Sequence, residues 1–217
     1  MALRYAVGLR GPSLDRCRKT SSAVDLHISG IRNSPLLGYR RGPSNPRFSG
    51  LNWNIVMPTI RVATTADASA IWSILRPVFR AGETYTIPRD IDEADAIAYW
   101  CGRHHETFVA EDNANILGTY YLRANQAGGG DHVANCGYMT SPQAQGQGIA
   151  RLMLEHSLIR AKERGFRAMQ YNFVVGTNER AIRTWESYGF AKVGCLPLAF
   201  KHPTLGYVDA FVMYRQL

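Results

Sequence analysis

The chain is poor in the residues that hold metals and disulfides. Its four cysteines, Cys17, Cys101, Cys136 and Cys195, are scattered through 217 residues without a C-x-x-C pair. That excludes a zinc ribbon or a disulfide framework and fits unbridged thiols in a reducing, cytoplasmic setting. His104-His105 has no ligand spacing, so no metal is expected. No run of about 18 apolar residues exists, so no membrane-spanning helix is expected and a membrane is not among the expected partners. Positive charge is also missing where a nucleic-acid binder needs it. The formal net charge is +8, but residues 1–56 hold nine Arg/Lys against Asp15 and Asp25, and the remaining residues come to only +1. A basic tail on a neutral domain is not a basic folded face, so nucleic acid is not an expected partner.

Residues 1–56 mix Arg, Ser, Gly and Pro without a sustained period and read as a basic, disordered extension. A solvated tail, a transit-like segment and an upstream extension of the reading frame all fit. The last is favoured, because Met57 opens a clean domain start at "MPTIRVAT". Residues 57–217 are therefore taken as the folded domain.

From Met57 the pattern is regular. Strands are expected at 59–63, 107–111, 116–123, 132–140, 168–175, 191–196 and 209–215, and helices at 67–79, 91–101, 146–164 and 179–188. Pro77 should disturb the last turn of the first helix. The order predicts an α/β (α+β) domain, a mixed sheet with helices on its faces.

The chemistry concentrates at "SPQAQGQGIARLML", residues 141–154, where a glycine-bearing turn runs into an apolar helix. Free backbone N–H groups and the helix dipole converge at such a turn and suit a phosphate. It is neither G-x-G-x-x-G nor a P-loop ending in Gly-Lys-Ser/Thr. Gln145-Gly146-Gln147-Gly148-Ile149-Ala150 resembles the Q/R-x-x-G-x-G/A acetyl-CoA turn of the GNAT (GCN5-related) N-acetyltransferases. "TNERAIRTWESYGFAKVG" resembles that family's second landmark, an Asn-x-x-Ala helix ending in Gly-Phe. The resemblance runs from about Met57 to Leu217 and implies a mostly antiparallel sheet with a splayed central strand. It implies acetyl-CoA as co-substrate, bound by Tyr138, Met139, Thr140, residues 145–150 (Gln145, Gly146, Gln147, Gly148, Ile149, Ala150) and Asn178, and it makes a homodimer one of the partners to be expected.

Three further segments, "HVANCGY", "YNFVVGTN" and "RTWESYGF", resemble the subgroup that contains the yeast proline-analogue acetyltransferase, whose members acetylate azetidine-2-carboxylate. Carried over by motif, Asn135 and Asn172 would hold a substrate carboxylate, and Asn178 would sit near the reacting amine. Asn178 also reads as an N-cap. An Asn in the apolar run "MQYNFVV" would be costly if buried without partners, which favours a bonded or functional Asn172. Tyr85, Phe173 and Trp185 supply aromatic walls for a small amine.

Transfer to an amine needs a proton acceptor. Glu83 in "AGETYTIP" is the best carboxylate candidate; the segment resembles the substrate loop of phosphinothricin and methionine sulfoximine acetyltransferases, and the same residue also reads as a solvated glutamate. His132 is a second, weaker candidate. Backbone N–H groups around Tyr138–Thr140 would serve the oxyanion. Alternation puts Asn135 and Tyr138 on opposite faces of their strand unless a bulge intervenes, and one is expected near Gly137. Trp185 stands where the family usually has a tyrosine acid, and an indole N–H is no acid. The leading reading is an N-acetyltransferase for a small amino acid or analogue. Phosphinothricin-type acetylation, protein N-acetylation and a non-catalytic acyl-CoA sensor are the alternatives.

Overall fold

The computed structural model describes residues 58–217; the basic extension expected at 1–56 lies outside them. Strands β1 (Thr59–Val62), β2 (Glu106–Asp112), β3 (Asn115–Ala124), β4 (Val133–Thr140), β5 (Ala168–Val175), β6 (Ala191–His202) and β7 (Gly206–Gln216) form one sheet in the order β1-β2-β3-β4-β5-β7-β6. Only the β4–β5 pair is parallel. Helices α1 (Ala68–Ala81) and α2 (Glu93–Trp100) accompany a core on one face, built from Ile71, Ile74, Trp100, Val109, Tyr121 and Met139. Helices α3 (Ile149–Glu163) and α4 (Glu179–Ser187) contribute to the core on the other, around Tyr120, Cys136, Met153, Leu154, Tyr171 and Ile182. The expected mixed, mostly antiparallel sheet is what forms.

Local chemistry explains the elements. Asn113 and Ala114 both take positive φ, 48° and 64°, and close a two-residue hairpin between Asp112 and Asn115. Asp92 caps α2 by accepting from the Asp95 N–H at 2.9 Å, so that helix starts at 93 rather than 91. Pro77 does not end α1, which continues to Ala81 and a left-handed Gly82. Pro77 and Ser73 both face solvent; the Ser73 carbonyl, whose N–H partner the ring removes, can therefore bond water. β6 runs past its expected end at 196, through irregular pairing with β7 between Leu196 and Phe200.

One expectation about the centre needs correction. β4 keeps an unbroken register with β3 from Gly118↔Thr140 to Ala124↔Ala134, so there is no bulge at Gly137. The irregularity lies instead on β5, between Tyr171 and Val174 in its pairing with β7. Gly137 is a glycine for another reason: a Cβ there would lie 2.6 Å from a Tyr121 ring carbon. That ring cannot easily yield, because it stacks on His105 at 4.4 Å and meets Trp100 edge-on at 5.0 Å.

Gly137→Ala should therefore destabilise the protein by about 1–3 kcal/mol through overpacking. Urea unfolding of the full chain measures this; an unchanged midpoint would show that Tyr121 swings aside freely.

Candidate active site

The site begins where β4 and β5 separate. They pair at two positions only, Val133 with Ala168 and Ala134 with Met169. At the next position the Asn135 side chain enters, its Nδ2 donating to the Gln170 carbonyl at 2.9 Å. Beyond it the strands diverge. Tyr85, from the loop between α1 and α2, fills part of the gap. Its hydroxyl donates to the Tyr138 carbonyl at 2.9 Å and accepts from the Tyr138 N–H at 3.1 Å. One side chain thus satisfies two backbone groups, each of which would cost about 1–3 kcal/mol if buried without a partner.

The separation opens a cleft of about 980 Å³ between the strands, large enough for a sizeable ligand. One end is the glycine turn. Gly146 and Gly148 have φ of 80° and 82°, and a Cβ on either would meet nothing within 4 Å. Left-handed backbone, rather than a close protein neighbour, demands glycine here. The turn stays outside the helix: α3 starts at Ile149, with Gly148 as its N-cap. The first N–H groups of α3 have no acceptor in their own helix, and the dipole adds positive potential. Arg151 and Arg180 line the same cleft, and neither joins an ion pair among the described residues. Open space, bare N–H groups and two cations fit the pyrophosphate of coenzyme A.

Of the turn residues, Gln145, Gly146, Gly148, Ile149 and Ala150 line the cleft, while Gln147 points away and donates to the Gln143 carbonyl at 3.0 Å. Tyr138, Met139 and Thr140 line it along β4. The N–H of Tyr138, expected to serve an oxyanion, is held by Tyr85. The Tyr138 ring lies on the α3 face, where its hydroxyl meets Ser157 at 2.7 Å and Tyr171 at 3.2 Å. Asn178 lines the cleft and also caps α4, its side chain accepting from the Ala181 N–H at 3.3 Å.

At the other end stand Asn135, Asn172, Tyr85 and Phe173, with Trp185 in the wall. Trp185 packs at 5.2 Å from Tyr138 and 5.0 Å from Tyr171, as an aromatic wall. Asn135 is buried. Asn172 is exposed, contrary to the burial its apolar run implied, and bonds Asn125 at 2.6 Å and Gln170 at 2.8 Å. The β5 irregularity beside it accounts for the mismatch between sequence and exposure.

The proton acceptors fare differently. Glu83 is exposed and does not line the cleft, although Thr84, Tyr85 and Thr86 do. Its side chain turns to solvent, so its placement does not support a role as base. His132 is exposed and precedes β4. Tyr188 is not a substitute acid, since its hydroxyl donates to Glu155 outside the cleft. Among the residues lining the cleft there is no Asp, Glu or His. Burial pushes the Cys136 thiol up to about 12, so it stays protonated and is no acyl-accepting nucleophile. Burial likewise raises the phenols of Tyr85, Tyr138 and Tyr171, which remain neutral hydrogen-bonding groups.

The sequence reading missed Arg123, Arg151 and Arg180, which give the cleft three cations and no anion. Arg151 was findable from its place in the first turn after "GQGIA" and Arg180 from the first turn of the following helix. Arg123 ends the run "TYYLR" and looks like the polar margin of a strand.

A splayed mixed sheet, with a glycine turn and helix at the mouth of the splay, defines an acyl-coenzyme A transferase fold. The chain matches the acetyltransferase (GNAT) family over residues 69–190, more than half its length, and belongs to that family. It resembles a GCN5-related N-acetyltransferase from Kribbella flavida, with a TM-score of 0.71 and 38% identity over 74% of this chain and 98% of that one. A phosphinothricin acetyltransferase from Sinorhizobium meliloti, solved with acetyl-CoA, shares the fold at a TM-score of 0.65 and 24% identity over 74% of this chain and 88% of that one. The N-acetyltransferase aca1 of Schizosaccharomyces pombe is 34% identical over 101 residues, 45% of this chain and 47% of that protein. The chain thus spans under half the length of the curated relatives it matches.

Gly148→Glu forces a left-handed backbone on an L side chain and puts a carboxylate where the phosphates belong. Coenzyme A affinity should fall at least about 100-fold. Calorimetric titration checks this, with far-ultraviolet circular dichroism to confirm folding; near-normal affinity would move the phosphates elsewhere.

Proposed function

We propose that the protein is an acetyl-CoA-dependent N-acetyltransferase acting on the α-amine of a small amino acid or analogue, with azetidine-2-carboxylate or another proline-like compound as the first candidate. The observation that carries this reading is one continuous cleft joining the glycine turn to a polar end at Asn135 and Asn172, bordered by arginines and by no carboxylate. A cationic cleft repels a lysine-bearing peptide and tolerates a zwitterion. It also lowers the pKa of a bound ammonium, favouring the neutral amine that must attack. Residues 57–217 are taken as the catalytic domain, working in the cytoplasm.

In this reading Gly146, Gly148 and the start of α3 hold the pyrophosphate, and Asn178 stands beside the bound thioester. The donor supplies an acetyl group on a good leaving thiolate. Tyr85 and Trp185 orient the amine, and positioning carries most of the rate. The C–N bond forms as the C–S bond breaks, and the amine proton leaves through water to the departing sulfur, since no lining side chain is placed to take it. The apolar residues exposed on β6, β7 and the turn between them, including Val193, Leu198, Leu205 and Tyr207, suit a homodimer. A phosphinothricin-type substrate is the second reading, supported by Thr84, Tyr85 and Thr86 bordering the cleft.

Thiol release from acetyl-CoA by the full chain tests these readings. Azetidine-2-carboxylate, proline, phosphinothricin, methionine sulfoximine and a lysine peptide form the panel. Selective turnover of azetidine-2-carboxylate is expected. Preference for phosphinothricin would promote the second reading, and preference for the peptide would overturn both. Coenzyme A binding without turnover on any amine would leave an acyl-CoA sensor.

A further inference from the structure

The two amides that the resemblance assigns to the carboxylate are already engaged. Asn135 gives one N–H to the Gln170 carbonyl at 2.9 Å. Asn172 gives one to Asn125 Oδ1 at 2.6 Å and accepts from Gln170 Nε2 at 2.8 Å. Each amide keeps a single N–H to offer, whereas a carboxylate has two oxygens and about four acceptor sites.

The unspent donors belong to Arg123. It stands directly opposite Asn135 in the β3–β4 register and lines the cleft. Among the described residues its guanidinium makes one hydrogen bond, a long one, Nε to Asn135 Oδ1 at 3.5 Å. No carboxylate pairs with it among the described residues. Neither terminal nitrogen has an acceptor among the described residues, and a guanidinium fork matches a carboxylate in two parallel hydrogen bonds. Asn135 is better suited to holding that fork in place. Fixed by Gln170, it presents its carbonyl oxygen to Arg123 and steers the guanidinium.

We propose that Arg123 reads the carboxylate of the acceptor, binding it through its terminal nitrogens, while Asn135 orients Arg123. The inference rests on the amino-acid reading of the cleft and names its substrate class: small amines bearing an anionic group one carbon away. Arg123 also borders a second cavity, of about 790 Å³, that Arg103, His104 and His105 help to line. The guanidinium can serve either side, and the experiment separates them.

Azetidine-2-carboxylate and its uncharged carboxamide are compared in the full-length wild type, Arg123→Gln and Arg123→Lys. The wild type should prefer the acid by about 100-fold in kcat/KM, the worth of a charge-assisted pair. Arg123→Gln should erase that preference by raising KM for the acid, with kcat and the KM for acetyl-CoA within about threefold. The Lys variant should recover part of it, as a point charge without the fork. An acid preference that survives in Arg123→Gln overturns the inference while leaving the acetyltransferase reading intact. Should the wild type turn over neither compound, calorimetry decides. Binding of the acid by the wild type and not by Arg123→Gln upholds the carboxylate site and sinks the proposed reaction; equal binding by both sinks the site.

Discussion

Two parallel strands hold each other for two residue pairs and then part. Sheets rarely leave central backbone groups bare, because every lost ladder bond in a dry interior must be replaced. Here Asn135 ends the pairing by bonding the Gln170 carbonyl, and Tyr85 reaches across from the opposite helical layer to hold both polar groups of Tyr138. The separation is stable because those two side chains satisfy it. Everything chemical in the domain, from the glycine turn to the amide-lined end, borders the gap that results.

The same arrangement makes Tyr85 more than a wall. Its ring packs edge-on against Phe79 at 6.0 Å and Trp100 at 6.0 Å, so the loop that shapes the amine end of the cleft is anchored in the α1–α2 core. A hydroxyl bonded to the Tyr138 N–H occupies the donor expected to serve a reacting carbonyl oxygen. Loop position, backbone satisfaction and the geometry of acyl transfer are therefore coupled through one phenol. Gly137, next to Tyr138 on β4, leaves room for the Tyr121 ring, and the strand keeps its register with β3 where a bulge was expected.

The order and type of the elements were legible from hydrophobic period and turn chemistry, including the two neighbouring strands expected at 107–111 and 116–123. The glycine turn was legible too, since left-handed backbone before an apolar helix leaves a mark that few other structures leave. Three features were hidden. The β6 extension past 196 is an exposed edge without alternation. The exposure of Asn172 follows from an irregularity in β5 pairing that no local pattern encodes. Arg123 looked like a strand margin, because what distinguishes it is the lack of an acid nearby in space, and a linear pattern carries no spatial neighbours. Glu83 was the converse: a plausible carboxylate in the right loop whose side chain turns to solvent.

A cleft with three arginines and no acid has a consequence for turnover. On the amino-acid reading proposed above, acetylation converts a zwitterion into an anion, since the amine loses its positive charge and the carboxylate stays. The same field that admits the neutral acceptor therefore grips the acetylated product more tightly, and coenzyme A, with its phosphates, more tightly still. On that same reading, departure rather than chemistry is the slow step, and the accumulated product acts as a brake.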